Sequence, residues 1–292
     1  MMNESAPIVL RKMNGLGNDF AVLDARPRAL LLTVDQARAI ADRDTGVGCD
    51  QVIAIEQSPK GADAFMRIWN HDGGEVEACG NAMRCVAAVL SQELGRAQVS
   101  IQTEVDILSA VVNADGTVTV NMGVPKFAWQ DIPLSEEFRD TRDIELQVGP
   151  IDDPVLNSPS VVNVGNPHCI FWVDDVEAHD IAAIGPVLEH HPMFPERSNI
   201  TLAQVTSPQA ITIKVWERGV GLTRACGTAA CATAVAAARK GLTGRKVTVT
   251  LPGGPLQIEW REGDEHILMT GPYELEFQGT LDPALLNPEP VA

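Results

Sequence analysis

Two cysteines, Cys79 and Cys226, lie in the same local sequence, each after an Ala, before a Gly and at the head of a long apolar run. Residues 67–82, RIWNHDGGEVEACGNA, align without a gap on residues 214–229, KVWERGVGLTRACGTA. Trp69 falls on Trp216, Gly74 on Gly221, Ala78 on Ala225, Cys79 on Cys226, Gly80 on Gly227 and Ala82 on Ala229. The spacing is about half the chain and reads as an internal duplication. A lone cysteine is usually a small buried hydrophobe. Two at equivalent positions of a repeat, each ahead of a helix start, point instead to chemistry. A helix start offers unpaired N–H groups and a partial positive charge, which favour a thiolate, lower a thiol's pKa and bind a carboxylate. If the halves pack about a pseudo-two-fold axis, the sulfurs oppose one another and suit a reaction that needs two bases at one carbon. A disulfide between them is the competing expectation and would be an inactivated state.

The elements that must position these thiols follow from the flanking pattern. After Cys79 runs AMRCVAAVLSQEL, closed by Gly95; after Cys226 runs AACATAVAAARK, closed by Gly241. Glycine suits a helix end. Both helices are apolar nearly all round, as expected of a central rod buried on every side, and Cys85 and Cys231 belong to that core. Residues 8–24 read as strand, glycine-rich turn and strand, with Asn18 in the turn. Residues 33–43 form a short helix with Thr33 and Gln36 spaced as a capping box. A second glycine-rich loop ends at Gln51. Strands are expected at 52–56, 64–69, 99–103 and 107–121, the last folded at 113–116. Residues 124–159 lack a period and hold the passage into the second half. There, strands at 161–164 and 170–173 flank Gly-Asn-Pro-His-Cys, where the proline needs an edge, a bulge or a break. Asn166 and His168 flank that break; a satisfied structural histidine is the competing reading for His168. A helix at 180–188 follows, then strands at 199–205 and 211–216, with Glu217 and Arg218 just ahead of the second loop. Strands at 247–251, 256–260, 266–270 and 273–277 close the chain.

Composition excludes several classes. A chain of 292 residues is long enough for about two domains. The net charge of −17, from 22 basic and 39 acidic residues, argues against nucleic acid and anionic membranes as partners. No signal peptide is visible and no apolar stretch reaches the ~18 residues of a membrane span. The six cysteines include no C-x-x-C pair, which disfavours a zinc ribbon or thioredoxin-type site and leaves reduced thiols in the cytoplasm as the expectation. His190 and His191 are adjacent, so on a helix they point apart, and no metal is expected. No P-loop, G-x-G-x-x-G or G-x-S-x-G motif is present, and no nucleotide or pyridoxal cofactor is expected.

Taken in order, KMNGLGNDF, GVGCDQ, N-x-DG-x-E-x-x-x-CGNA-x-RC, VGNPHC, PERSN and ERGVGLTRACGTAACA resemble the diaminopimelate epimerase family over about residues 12–272. Members interconvert LL- and meso-diaminopimelate without a cofactor, in lysine and peptidoglycan biosynthesis. The resemblance implies an α+β fold of two pseudo-symmetric domains, each a mostly antiparallel barrel or sheet around a central helix. Residues 1–124 with 273–292 would form one domain and 125–272 the other, with the site between them. It makes Cys79 the proton donor and Cys226 the acceptor in the LL-to-meso direction. The α-carboxylate would rest on Gly80-Asn81 and Gly227-Thr228. Asn18, Gln51, Asn70, Asn166, Asn199, Glu217 and Arg218 would line the substrate site, with the asparagines and Arg218 reading the distal end. Glu217 and His168 would orient the thiols and tune their protonation. A homodimer is also implied. The chain departs from the family pattern at His71, Gly74, Ala82 and Ala230, which bears on loop stiffness. The rival reading is a racemase or epimerase of the same superfamily acting on proline, hydroxyproline or another amino acid, sharing both cysteines without needing Arg218. A phenazine-pathway isomerase and a non-catalytic thiol protein are more remote.

Overall fold

The computed structural model describes residues 7–76 and 79–287. Ala78, matched to Ala225 in the repeat, lies outside them. The chain divides into two compact units, Met1–Val120 with Gly271–Ala292, and Asn121–Thr270.

In the first unit β1 (Val9–Gly15) and β2 (Asn18–Asp24) form a hairpin. Helix α1 (Val34–Ala41) crosses to β3 (Gln51–Glu56), which runs parallel to β2. Thr33 and Gln36 close the expected capping box. β3 pairs antiparallel with β4 (Ala64–Asn70), and the short β5 (Glu75–Val76) leads to Cys79 and α2 (Gly80–Leu94). Beyond Gly95, left-handed at φ 64°, β6 (Gln98–Gln102) returns parallel to β4 and continues into β7 (Ile107–Val112) and β8 (Val118–Asn121). Residues Gly80 to Leu90 of α2 are all buried, which is the packing that a helix apolar on every side requires.

The second unit repeats this plan. It opens with β9 (Gln147–Val148) and β10 (Leu156–Asn157), a two-residue ladder. β11 (Ser160–Asn163) and β12 (Pro167–Trp172) form the hairpin, and α3 (Ile181–Glu189) crosses to the parallel β13 (Asn199–Ser207). β14 (Ala210–Glu217) and β15 (Gly221–Thr223) lead to Cys226 and α4 (Gly227–Lys240), whose return strand β16 (Lys246–Leu251) is parallel to β14. β17 (Gly254–Trp260) and β18 (Ile267–Gly271) follow, and β19 (Glu274–Thr280) pairs back onto β1 in the first unit. The registers coincide as well: Phe20 faces Gln51 as His168 faces Asn199 (20 to 168, 51 to 199). Ile68 faces Val76 as Val215 faces Thr223 (68 to 215, 76 to 223). The duplication read in sixteen residues thus extends over each unit.

Two sequence expectations needed refinement. Pro167 is tolerated because it is the first residue of β12, just past the Gly165 turn, where its missing N–H costs little. The aperiodic stretch 124–159 is no mere connector, for Ile132, Leu134, Ile144, Leu146 and Leu156 are buried in one cluster with Phe171, Ile181 and Leu202. It lacks a period because turns and irregular backbone carry most of these side chains inward, with only Leu156 in a two-residue strand.

Two stability predictions follow from the core. A Cβ built on Gly185 of α3 would lie 2.4 Å from Cγ of Trp216. Gly185→Ala should therefore cost about 1–3 kcal/mol in urea denaturation; an unchanged midpoint would show that α3 is not seated on that ring. Burial also pushes the Cys49 thiol up to about 11 and Cys85 to about 12, from 9.0. The unfolded chain releases these protons first as pH rises, so stability present below pH 9 should drain away above it. The slope should be about 1.4 kcal/mol per pH unit for each such thiol. Cys85→Ala, measured the same way under reductant, should show a shallower alkaline decline; an identical slope would refute the assignment.

Candidate active site

In the first unit Cys79 is the N-cap residue of α2, extended at φ −146°, with Gly80 and Asn81 forming the buried first turn. The Cys79 thiol lies 3.8 Å from Oδ1 of Asn18, and Nδ2 of Asn81 donates to the same oxygen at 3.3 Å. The Asn18 amide is held the other way round by Asp50, whose Oδ2 accepts from Asn18 Nδ2 at 2.9 Å and from the Asp19 N–H at 3.1 Å. Arg43 spans both carboxylates, 3.0 Å from Asp19 and 2.7 Å from Asp50, and Lys12 also pairs with Asp19. Burial raises the Asp19 pKa, but the hydrogen bonds from Arg43 and Lys12 outweigh it and leave the group well below the usual carboxylate range. Gln51 and Asn70 face each other across β3 and β4, Gln51 Nε2 donating to Asn70 Oδ1 at 2.9 Å. Gln51 Oε1 is buried with no hydrogen-bond partner among the described residues.

In the second unit Cys226 is the matching N-cap, extended at φ −134°, its sulfur 3.5 Å from Thr228 Oγ1. The Ala229 N–H also reaches the sulfur, as expected of a helix start. The lowered thiol pKa expected from that position is not found. Burial, reinforced by the Glu217 carboxylate, pushes Cys226 well above an ordinary thiol, and the helix-start donors offset only part of this. Glu217 is itself raised by burial, against hydrogen bonds from Thr223 Oγ1 and from the Cys226 thiol. Thiol and carboxylate therefore share a proton-rich buried corner.

His168 is fully buried and its Nε2 lies 2.7 Å from Asn166 Oδ1. An amide oxygen only accepts, so Nε2 carries the hydrogen and Nδ1 presents a buried lone pair without a partner among the described residues. Burial, helped by the charge of Arg218, lowers its pKa to about 3. His168 is thus neutral at physiological pH and is no proton carrier there. Asn199 ties two segments together, donating to Pro167 O at 2.9 Å and accepting the Arg218 N–H at 3.0 Å. The Arg218 guanidinium is steadied by Glu196 O at 3.0 Å.

Each unit thus holds its own share of the expected residues and one N-cap cysteine. The first holds Cys79, Asn18, Gly80, Asn81, Gln51 and Asn70; the second holds Cys226, Gly227, Thr228, Glu217, Arg218, Asn199, Asn166 and His168. The family profile described as diaminopimelate epimerase matches residues 10–128 and 160–276, which takes in both sets. The chain belongs to the diaminopimelate epimerase family. It is accordingly an isomerase. The diaminopimelate epimerase of Rhodopseudomonas palustris (strain HaA2) is 57% identical over 276 residues, covering 94% of this chain and 93% of the relative. That of Brucella anthropi is 57% identical over 275 residues, covering 94% and 91%. Among solved structures, a hydroxyproline epimerase from Agrobacterium vitis with bound trans-4-hydroxy-L-proline is similar at a TM-score of 0.66. It shares 15% identity over 98% of this chain and 96% of that one. A putative phenazine biosynthesis protein from Clostridium difficile (strain 630) is similar at 0.67, with 15% identity over 94% and 99%. At such identities these two show the α+β fold alone.

Several partners of the epimerase residues were not expected from the sequence. Asp50, which fixes the Asn18 amide, lies in the glycine-rich loop next to Gln51, and Arg43, which holds Asp50 and Asp19, lies at the end of the 33–43 segment. Thr223, which donates to Glu217, does leave a signal: it falls where the first copy has Val76, a polar residue in a matched strand position.

Proposed function

We propose that this epimerase interconverts LL- and meso-diaminopimelate, for lysine biosynthesis, with Cys79 and Cys226 acting on opposite faces of one α-carbon. One observation carries the reading: each unit sets a thiol as the N-cap of its buried central helix, at equivalent points of the repeat. The α-carboxylate takes the backbone donors at Gly80-Asn81 and Gly227-Thr228, which are aimed where negative charge grows as the proton departs. In the LL-to-meso direction Cys226 removes the proton and Cys79 delivers one. The high pKa of Cys226 means that it must first give up its own proton, and Glu217, itself raised, is beside it to take that proton. The reverse direction starts with the proton on Cys226. Cys226 and Glu217 titrate as a coupled pair, with His168 neutral beyond them.

Asn18, Gln51, Asn70, Asn166, Asn199 and Arg218 bind the rest of the substrate. Gln51 Oε1 suits an ammonium, since a buried acceptor gains most from a charged donor. Arg218 suits the distal carboxylate because its planar fork matches one. The chain divides into two epimerase-like domains, 1–124 with 273–292 and 125–272, a division that the compact units Met1–Val120 with Gly271–Ala292 and Asn121–Thr270 support. The cytoplasm is its proposed location, and no helix among the described residues is long and apolar enough to cross a membrane. The exposed outer strand β19, with Leu275 and Phe277 half in solvent, supports a homodimer.

The test is incubation with LL-diaminopimelate in deuterated water under reducing conditions. Formation of the meso isomer with deuterium at one α-carbon is expected. Absence of exchange would end the proposal, and turnover of proline or hydroxyproline instead would favour the racemase reading.

A further inference from the structure

Glu189 is the last residue of α3, and its side chain is only 4% exposed. A helix C-terminus disfavours negative charge, so the carboxylate owes its place to its partners. Its Oε2 accepts the indole N–H of Trp216 at 2.7 Å, and its Oε1 accepts the backbone N–H of Gly219 at 2.9 Å. Arg197 lies 3.7 Å away at the rim. The two donors bracket Glu217 and Arg218. Trp216 is itself seated against Gly185 of the same helix, where any Cβ would collide with its ring.

The first unit holds its matching turn from the matching helix. Arg38 of α1 donates from Nε to the carbonyl of Asp72 at 2.6 Å, and Asp72 stands where the repeat places Gly219 (72 to 219). One crossover helix grips the turn by a cation on a carbonyl, the other by an anion on an N–H. The same contact made with opposite charge marks the grip, not the charge, as the shared feature.

We infer that Glu189 is a positioning residue of the epimerase: its carboxylate clamps the turn at Trp216 and Gly219 and so aims Glu217 and Arg218. A carboxylate can do this because both oxygens only accept. An amide of the same shape must turn its NH2 against one of two buried donors. The inference rests on the proposed roles of Glu217 and Arg218. Wild-type protein that does not epimerise diaminopimelate therefore overturns that proposal, whereas the inference is read from active wild type against its variants.

Glu189→Gln should raise KM about tenfold and lower kcat less than about threefold, because the distal reader is displaced while both thiols remain. Combined with Arg218→Lys, the KM effects should not multiply, since both changes disable one contact. If Glu189→Gln fails to fold, Trp216→Phe keeps the ring over Gly185 and removes only its N–H, and should raise KM in the same sense. A KM at the wild-type value in the folded variant, with or without a lowered thermal midpoint, would reduce Glu189 to a structural role. So would KM effects that multiply in the double variant.

Discussion

Cys226→Ala is expected to lose epimerisation of LL-diaminopimelate by at least about a thousandfold, and Cys79→Ala by a similar factor. Each substitution removes a single sulfur and leaves the apolar run of its central helix intact, so folding should survive. On the proposed mechanism the two thiols serve one reaction, so the double variant should be little worse than either single one. The surviving thiol gives the sharper readout. In deuterated water Cys226→Ala should still exchange the α-proton at the D-centre of meso-diaminopimelate through Cys79, with deuterium returned to the same face and no LL isomer formed. Cys79→Ala should exchange at LL-diaminopimelate through Cys226 without forming meso. Loss of the α-proton signal by NMR, set against chiral chromatography, measures the two outcomes separately. Either variant epimerising at the wild-type rate would defeat the two-thiol mechanism.

The framework of that mechanism was legible because it rests on local rules. The two central helices announce themselves by apolar runs ended by glycines, and Gly95 and Gly241 do adopt the left-handed conformation, at φ 64° and 72°. Thr33 and Gln36 form their capping box because the motif needs only four residues. What stayed hidden is non-local. Asp50 reaches Asn18 across 32 residues of sequence, and Glu189 reaches Trp216 across 27. No spacing rule covers either pair. The parallel pairing of β2 with β3 and β12 with β13 was likewise invisible, since a period of two does not distinguish strand direction. The protonation of Cys226 was misjudged for a related reason. Its helix-start position can be read from Cys-Gly-Thr, but the burial that outweighs it depends on everything packed around the sulfur. That Glu217 would stand beside the thiol came from family resemblance; its consequence for the proton came from geometry.

That consequence yields the second large effect. Glu217→Gln should lower kcat/KM about a hundredfold and move the alkaline limb of the pH profile to lower pH. Burial comes first among the causes that raise the Cys226 pKa, and the Glu217 charge comes next. Removing a cause that raises an acid's pKa must lower it, so the last thiol proton is lost at lower pH. The glutamine NH2 acts in the same sense, since a donor to sulfur favours the thiolate. No catalyst shifts an equilibrium, so kcat/KM must fall by the same factor in both directions, which provides an internal check on the assay. Thr223→Val acts at the other end of the profile. The Thr223 hydroxyl donates to Glu217 and lowers its raised pKa, so its loss should lift that pKa further and move the acid limb upward. Stability separates these effects from damage to the fold: an unpaired buried carboxylate is costly, and Glu217→Gln should leave the thermal midpoint unchanged or higher. An alkaline limb that stays in place in Glu217→Gln, in a protein of wild-type stability, would show that this carboxylate does not govern the Cys226 proton.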